Sequence, residues 1–362
     1  MKRIAINTGG GDAPGLNAVI HGAVHAALAK GWEILGVRDG FEGLLAPHAY
    51  PDGGLVRLSR ESVRNISHLG GTILGTTNRG NPLRHRSKMA DGEVDRSEEL
   101  VGRFRDAGID ALIAVGGDGT LGIAHHLSQK GLSIVGVPKT IDNDLQATVI
   151  TFGFDSAVSF ATECLDRLHA TAESHRRIMV VEVMGRYAGW IALHSGIAGR
   201  ANAILIPEVP FDIQKVAEHL SHKTMSQQKY AIVVVAEGAK PIGGAHLLKS
   251  RANAGQVERL GGIGELIAGQ LNEMTGHETR AVVLGHLLRG GSPTSLDRLL
   301  GLNFGAAAVR ALAEGRSGVM VALNPPLIEY VPFEVAVSGQ KLVPVDGNAV
   351  ITARALDISF GD

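Results

Sequence analysis

Short apolar segments alternate with amphipathic segments along most of this chain, and this alternation limits the possible fold more than any other feature. RIAINT (3–8) and WEILGV (32–37) are typical of buried strands, and LNAVIHGAVHAALAKG (16–31) between them has helical spacing. Strands separated by helical segments predict βαβ units and a parallel sheet. Because 362 residues exceed one ordinary core, we expect two similar α/β halves. The strand candidates of the second half are RRIMVVEV (176–183), NAILIPEV (202–209), YAIVVVAE (230–237) and TRAVVLGH (279–286).

Charge and cysteine content argue against several classes of protein. The formal net charge is −1 and the pI is near 7.0, which does not favour binding to nucleic acid or to an anionic membrane. Cys164 is the only cysteine, so neither a disulfide framework nor a cysteine-based metal site can form. The sequence has no apolar run of about 18 residues or more and no signal-peptide segment at its N-terminus. We therefore expect a cytoplasmic protein without a membrane span.

Polar, glycine-rich clusters follow the predicted strands. In parallel sheets, ligands bind beyond the carboxyl ends of the strands, which is where these clusters should meet. Any single cluster is adequately explained as a turn, but the whole set exceeds what turns require. The seven clusters are GGGDAPG (9–15), RDGFEG (38–43), GGDGT (116–120), PKTIDND (138–144), MGRYAG (184–189), AEGA (236–239) and LGHLLRGGSP (284–293).

Two of these loops have features of phosphate sites. Loop 9–15 precedes a predicted helix, where backbone N–H groups and the helix dipole favour an anion, although it matches neither the P-loop nor the dinucleotide fingerprint. Loop 116–120 also joins a strand to a helix, and Asp118 within it is the kind of hard oxygen ligand that Mg²⁺ accepts. The GGDGT segment also occurs in relatives of diacylglycerol kinase and NAD kinase. It therefore indicates a phosphoryl donor without identifying the acceptor.

Further charges lie in or beside the predicted loops. Lys139 and Asp142 lie within five residues of the end of the apolar run LSIVGV (132–137). Charged side chains so close to a buried strand cost free energy unless they meet charged partners. Guanidinium groups bind phosphates bidentately and stabilise a transferring phosphoryl group. Any one arginine alone is typical of a solvated surface. The arginines in this set are Arg79, Arg177, Arg186, Arg280 and Arg289.

The motifs together resemble the 6-phosphofructokinase family. TGGGDAPGLNA, GGDGT, PKTIDNDL, HRRIMVVEVMGRYAGW, AEG and TRAVVLGHLLRGGSPTSLDR occur in the family's order and at similar spacing, from about residue 3 to about residue 320. The resemblance implies two similar Rossmann-like three-layer domains with mostly parallel sheets and an active site in the cleft between them. We expect a phosphoryl-donor domain at 1–153 plus about 288–338, and a sugar-phosphate domain at 154–287 plus about 339–362.

The resemblance also implies roles for individual residues. Asp142 is similar to the catalytic base, which takes the proton of the sugar 1-hydroxyl as that oxygen attacks the γ-phosphate of ATP. Thr140 resembles the residue that contacts the transferring phosphoryl group, and Arg186 resembles one that stabilises its charge. Asp118 resembles the Mg²⁺ ligand, directly or through water. The donor-phosphate positions fall on Gly11, which is also counted with the catalytic set, and on Arg79, Gly117, Asp118, Gly119 and Thr120.

The expected acceptor is fructose 6-phosphate. Arg177 and Arg280 match ligands of its 6-phosphate that reach in from the neighbouring subunit in the family, which implies a homodimer or homotetramer with shared active sites. Another ketose phosphate, such as sedoheptulose 7-phosphate, could occupy the same positions. The remaining substrate contacts are expected from Thr140, Asp142, Met184, Gly185, Arg186, Glu237, His286 and Arg289.

Two positions carry the choice of phosphoryl donor in this family. Enzymes that use pyrophosphate typically have Asp and Lys at the positions of Gly119 and Lys139, whereas typical bacterial ATP enzymes have Gly at both. This chain has Gly119 with Lys139. An Asp at 119 would place bulk and negative charge where the α-phosphate of ATP must lie, and a lysine at 139 can help either donor. We therefore expect ATP, with pyrophosphate as the alternative.

The sequence departs from the family where allosteric members carry basic effector-site residues. His21, His25 and His169 stand at these positions, so we hypothesise that regulation by ADP and phosphoenolpyruvate is weak or absent. His21 and His25, four residues apart, could instead hold a metal, but without a third local ligand a surface or interface pair is favoured. Two other functions fit the sequence less well. A nucleotide or lipid kinase would leave PKTIDND and MGRYAG unexplained, and a non-catalytic subunit would be expected to lack Asp142.

Overall fold

The chain forms two compact units, neither of which is a single stretch of sequence. The computed structural model describes residues 2–78, 80–86, 92–225, 228–244, 248–250 and 259–362. Unit 1 comprises Met1–Ile141, Leu145–Asp155 and Arg289–Gly339. Unit 2 comprises Asp142–Asp144, Ser156–Leu288 and Gln340–Asp362.

Strands and helices alternate along the chain. The strands are β1 (Arg3–Thr8), β2 (Glu33–Val37), β3 (Leu55–Arg57), β4 (His85–Arg86), β5 (Glu93–Val94), β6 (Ala111–Gly116), β7 (Ile134–Thr140), β8 (Phe152–Gly153), β9 (Ile178–Val183), β10 (Ala203–Leu205), β11 (Ala231–Ala236), β12 (Leu248–Ser250), β13 (Arg259–Leu260), β14 (Thr279–Val283), β15 (Val319–Asn324) and β16 (Leu327–Pro332). The helices are α1 (Leu16–Ala29), α2 (Glu42–Leu45), α3 (Ser97–Asp106), α4 (Asp118–Gln129), α5 (Phe154–His175), α6 (Trp190–Ala198), α7 (Ile213–His219), α8 (Ile263–Thr275), α9 (Ser295–Ala313), α10 (Phe333–Ala336) and α11 (Asn348–Ala355).

Unit 1 is built on a mostly parallel sheet. Its strand order is β16-β15-β7-β6-β1-β2-β3, and β8 adds a short parallel pairing to β7. The outermost strands β3 and β16 run antiparallel to their neighbours, whereas β2, β1, β6, β7 and β15 are parallel. Every residue of β6 and β7 is buried. Burial on both faces explains why these strands read as continuous apolar runs rather than as alternating ones.

Helices cover both faces of this sheet, so unit 1 has three layers. On one face, Ile4 and Ile6 of β1 lie in a core with residues of α1 and α9. On the other face, Ala5 of the same strand lies in a core with residues of α3, α4 and α10. Helices α1 and α9 are in backbone contact, because a Cβ on Gly305 would collide with a backbone oxygen of α1. Only glycine permits that approach.

Unit 2 has a second, smaller parallel sheet. Its strand order is β10-β11-β9-β14, and all three pairings are parallel. Residues of α7 and α8 pack on one face of this sheet, and α6 contacts β10 and β11. The buried carboxylate of Glu182 on β9 accepts the backbone N–H groups of Gly262 and Gly264, at 3.1 and 2.8 Å, where α8 begins. The prediction of two α/β domains with mostly parallel sheets is confirmed.

The structure also bears on membrane insertion. Among the residues it describes, no helix combines the length and the apolar character needed to cross a bilayer.

Candidate active site

The loop 9–15 between β1 and α1 is fixed by backbone hydrogen bonds to two neighbouring segments. Gly9 donates to the carbonyl of Val115 at 2.9 Å, and Gly10 donates to the carbonyl of Thr77 at 3.1 Å. The loop therefore has a defined shape at the carboxyl edge of the sheet, directly before the positive end of α1. That is the geometry in which backbone groups bind an anion.

Two cationic side chains of unit 1 reach this loop. The ammonium of Lys139 donates to the carbonyl of Gly11. Arg289 Nη1 donates to the carbonyl of Asp12 at 3.1 Å, and a Cβ on Gly11 would lie only 2.8 Å from the same nitrogen. Positive charge is thus concentrated where the loop turns into α1, as a bound polyphosphate would require.

The segment 116–120, which was predicted as a loop, is the last residue of β6, one connecting residue and the start of α4. It lies against the loop 9–15. A Cβ on Gly9 would stand 2.7 Å from the hydroxyl of Thr120, which is buried. After Gly117, α4 begins at Asp118, whose Oδ1 accepts the N–H of Gly119 at 2.6 Å. A Cβ on Gly119 would meet nothing within 4 Å. A side chain at position 119 is therefore compatible with the packing of the fold.

The segment 138–140 is part of a strand, which corrects the prediction that a loop begins at residue 138. Strand β7 continues to Thr140 because Lys139 pairs with Phe152 and Thr140 pairs with Gly153. The hydroxyl of Thr151 also donates to the carbonyl of Thr140 at 2.8 Å. Lys139 is 3% exposed and Thr140 is 9% exposed. The backbone of both residues is therefore held by the sheet ladder.

The loop proper is the segment 142–144, which belongs to unit 2. Asp142 is half-buried and stands two residues beyond the end of β7. Asn143 is buried and adopts the left-handed backbone region with a φ of 51°, which asparagine tolerates better than most residues. Its Oδ1 accepts the ammonium of Lys341 at 2.9 Å. Sequence reasoning missed Lys341, since it lies 198 positions away in a segment without any motif.

The residues of unit 2 that were predicted to bind the sugar phosphate follow strands β9 and β11 at one edge of its sheet. Glu237 donates its N–H to the carbonyl of the last residue of β9 at 2.9 Å, and Gly238 donates to the carbonyl of Gly185 at 3.0 Å. These bonds hold the loop that carries Met184, Gly185 and Arg186 beside Glu237. The structure therefore brings these four predicted residues together.

The other two predicted phosphate ligands of this edge lie in a 3-10 helix, Gly285–Arg289, after β14. His286 is exposed in that turn. Arg289 ends the turn and belongs to unit 1, where it contacts the loop 9–15. The predicted donor-site residue Arg79 lies outside the described residues.

Arg177 and Arg280 lie at the opposite edge of the unit 2 sheet, away from the predicted loops of their own chain. Arg177 precedes β9, and Arg280 is the second residue of β14, paired with the second residue of β9. Both guanidinium groups contact Glu278, at 3.3 and 2.7 Å. Strand direction causes this placement, because residues at the start of parallel strands share the amino edge.

The three histidines at the predicted effector positions all contact other residues of the fold. His21 and His25 stack with ring centroids 4.4 Å apart, and the Nδ1 of His21 is 2.8 Å from the carbonyl of Val63. Burial and the neighbouring His21 lower the pKa of His25. The Nε2 of His169 is 2.7 Å from the carbonyl of Gly199. Within the described ranges, no group of three His, Cys, Asp or Glu side chains is placed to hold a metal ion.

The fold and these loops define an α/β protein whose glycine-rich and charged segments are concentrated between strands and helices at the sheet edges. A family model described as Phosphofructokinase matches residues 3–312, so the chain belongs to the phosphofructokinase family. This match extends far beyond the GGDGT segment and removes the nucleotide or lipid kinase alternative.

Relatives with different phosphoryl donors are similar to the chain. The ATP-dependent 6-phosphofructokinase of Chloroflexus aurantiacus is 48% identical over 361 residues, covering 100% of this chain and 98% of that protein. The pyrophosphate–fructose 6-phosphate 1-phosphotransferase of Amycolatopsis methanolica is 50% identical over 346 residues, covering 94% and 96%. The phosphofructokinase structure from Saccharomyces cerevisiae matches with a TM-score of 0.79 and 30% identity, covering 99% of this chain. The chain spans about half of that yeast chain, 47%.

Proposed function

We propose that the chain is an ATP-dependent 6-phosphofructokinase, which transfers the γ-phosphoryl group of ATP to the 1-hydroxyl of fructose 6-phosphate. The products are fructose 1,6-bisphosphate and ADP. Relatives with either donor have nearly equal identity to the chain, so overall identity does not decide the donor. The observation that carries the proposal is Gly119, which leaves open space at the start of α4 beside the loop that would bind the phosphates.

The proposed chemistry begins with the sugar hydroxyl. Asp142 accepts its proton while the oxygen forms a bond to the γ-phosphorus, and the bond between that phosphorus and the bridging oxygen of ADP breaks. Thr140, held at the end of β7, contacts the transferring group, and Arg186 stabilises its charge. Lys139 and the backbone of loop 9–15 hold the donor phosphates. These roles extend the family pattern to the matching positions of this chain.

Mg²⁺ is the metal that best fits the donor loops. Asp118 offers one exposed carboxylate at the start of α4, and Mg²⁺ in kinase sites takes one or two carboxylates together with substrate phosphates and water. The lack of a three-ligand cluster in the described part of the chain agrees with an ion held mainly by substrate. When bound, the ion would neutralise charge on the phosphates. Asp118 would hold it directly or through water.

Unit 1 is the proposed donor domain and unit 2 the proposed sugar-phosphate domain. Met184, Gly185, Glu237 and His286 would bind fructose 6-phosphate, together with Arg289. Arg177 and Arg280, at the amino edge of the unit 2 sheet, are proposed to bind the 6-phosphate in a neighbouring subunit's site. The protein would then work as a homodimer or homotetramer, as the family pattern implies. The cytoplasmic location stays a prediction.

Pyrophosphate is the alternative donor, because Lys139 reaches the loop 9–15 and a relative at 50% identity is named for pyrophosphate. The deciding experiment compares initial rates with ATP and with pyrophosphate at saturating fructose 6-phosphate. We expect ATP to be faster by about tenfold or more, which is about 1.4 kcal/mol in transition-state free energy. Faster turnover with pyrophosphate would overturn the donor assignment, and no product with either donor would overturn the proposed function.

A substitution at Gly119 sharpens that comparison. Gly119→Asp should lower kcat/KM for ATP by about tenfold or more, because like charges about 4 Å apart repel by up to about 4 kcal/mol near a protein surface. Gly122→Asp is the matched control, since a Cβ there also meets nothing within 4 Å and the position lies one turn further along α4. Equal losses in the two variants would show that added charge on α4, rather than position 119, is responsible.

A further inference from the structure

Lys341, in the segment 340–343, contacts the 142–144 loop at two points. The backbone N–H of Lys341 donates to the carbonyl of Asp144 at 2.8 Å. Its ammonium donates to Oδ1 of Asn143 at 2.9 Å. Both ends of Lys341 therefore contact the two residues that directly follow Asp142.

The same segment is anchored on its other side. Trp190 Nε1 donates to the carbonyl of Lys341 at 2.8 Å, and the ammonium lies 5.8 Å from the centroid of that indole ring. Glu208 Oε1 accepts the N–H of Val343 at 2.8 Å and that of Gly189 at 3.0 Å. Gly189 ends the loop that carries Arg186. All of these residues belong to unit 2.

Burial of the Lys341 ammonium costs desolvation free energy. The side chain is half-buried against an indole ring, and burial lowers its pKa to about 8, with Asp144 opposing the change. An apolar side chain of similar length would pack there without that desolvation cost. An apolar side chain could not make the hydrogen bond to Asn143. Asn143 is also the residue of this loop that has a left-handed backbone conformation.

We propose that Lys341 is a positioning residue for phosphoryl transfer: it fixes Asn143 and Asp144 and thereby orients the adjacent Asp142. This inference rests on the proposed function, in which Asp142 takes the proton of the sugar hydroxyl. Lys341 itself contacts the loop rather than the reacting atoms. Small misplacement of a reacting group is enough to cost about 100-fold in rate, so an effect on kcat is expected.

The first test is the kinetics of Lys341→Met in the full chain. We expect kcat to fall about 10- to 100-fold, while KM for ATP and for fructose 6-phosphate changes less than about threefold. Lys215→Met is the matched control, because Lys215 is exposed on α7 of the same unit, and it should retain the parent kcat. An unchanged kcat in Lys341→Met, or KM values that rise as much as kcat falls, would overturn the proposal.

A second variant tests whether the effect passes through Asn143. Asn143→Gly removes the acceptor and still permits the left-handed backbone. It should lower kcat by a similar factor, and the double variant with Lys341→Met should be no slower than the slower single variant. Multiplying losses in the double variant would show that Lys341 acts on some other group, which contradicts the proposal. If Lys341→Met folds poorly, Asn143→Gly alone still tests the contact, and an unchanged kcat in that single variant would overturn the proposal.

Hydrogen exchange separates this inference from the proposed function. Backbone amides in a peptide covering 141–146 should exchange about tenfold faster in Lys341→Met than in the parent, without substrates present. Unchanged exchange would overturn the positioning role whatever the kinetics show. If the parent itself transfers no phosphoryl group to fructose 6-phosphate, the proposed function fails, and the exchange measurement still decides whether Lys341 fixes the loop.

Discussion

Because the ammonium of Lys341 is partly buried, we expect the free energy of unfolding to depend on pH in a way that a Lys341→Met variant does not show. Burial lowers the pKa of Lys341 from its ordinary 10.5 to about 8 in the folded chain. Below the lower value both the folded and the unfolded chain carry the proton, so folding buries a charge. Between the two values only the unfolded chain binds the proton, so the free energy of unfolding rises with pH through that window.

The size of the effect follows from the two pKa values. The whole difference between 10.5 and about 8 corresponds to about 3 kcal/mol, since one pKa unit is worth about 1.4 kcal/mol. Raising the pH from about 7 to about 9.5 covers most of the window and should recover about 2 kcal/mol. This gain belongs to the parent protein alone, because methionine at position 341 does not titrate.

The assay uses the two tryptophans of the chain, Trp32 in unit 1 and Trp190 in unit 2. In a Trp32→Phe background, fluorescence reports only on Trp190, which donates to the carbonyl of Lys341. Urea unfolding at both pH values gives the difference in unfolding free energy between parent and Lys341→Met. That difference should shift by about 2 kcal/mol in favour of the parent on going to the higher pH, while the Lys215→Met control should follow the parent within about 0.5 kcal/mol.

A difference that stays constant between the two pH values would refute the reasoning, since it would mean that folding does not bury the charged ammonium. Other titratable groups near Lys341 do not mimic the effect. Burial and the charge of Lys341 lower the pKa of His194 from 6.5, so His194 titrates below the window. Glu208, joined to the same segment, has a pKa raised by burial from 4.5, but its carboxyl is present in both proteins.

Three further predictions concern stability and the metal. Glu182→Ala should lower the unfolding free energy of unit 2 by about 2 kcal/mol in urea titration, because Gly262 and Gly264 lose a buried acceptor; a loss below about 0.5 kcal/mol would contradict the capping role. Gly305→Ala should destabilise the chain by about 2 kcal/mol or more, because its methyl group collides with the backbone of α1. A Cβ on Gly102 would meet nothing within 4 Å, so Gly102→Ala is the control and should cause no loss of stability in the same urea titration. Chelation by EDTA should abolish transfer and added Mg²⁺ should restore it, and full activity in chelator would contradict a Mg²⁺ requirement.

Much of the fold could be predicted because strands buried on both faces leave a strong pattern in the sequence. The strands β1 and β2 are short apolar runs followed by glycine or a polar residue, and each was predicted within one residue. The end of β7 was missed because Lys139 and Thr140 are polar, while the pairing that extends the strand comes from Phe152 and Gly153. A ladder partner that lies beyond a loop cannot be read from local composition.

The candidate site was predictable where motifs cluster after strands and unpredictable where contacts are distant. The loops that carry Gly11, Asp118 and Arg186 were found from glycine patterns and the family resemblance. The position of Arg177 at the amino edge of the unit 2 sheet follows from the direction of the paired strands, which the local sequence does not determine. Lys341 had no local pattern at all, because its importance depends on a hydrogen bond to Asn143, 198 positions earlier.

The interleaving of the two units has a consequence for synthesis on the ribosome. Unit 1 takes its first segments from the start of the chain but lacks α9 and β15 until Arg289–Gly339 has been made. Until then, β7 lacks its pairing with β15, and α1 lacks the helix that packs on it. Unit 2 is likewise incomplete until Gln340–Asp362 emerges. A nascent chain therefore carries two incomplete cores until residues 340–362 have been made, and the apolar surface exposed during that time favours aggregation. A stop codon near residue 330 would leave a protein without either complete unit.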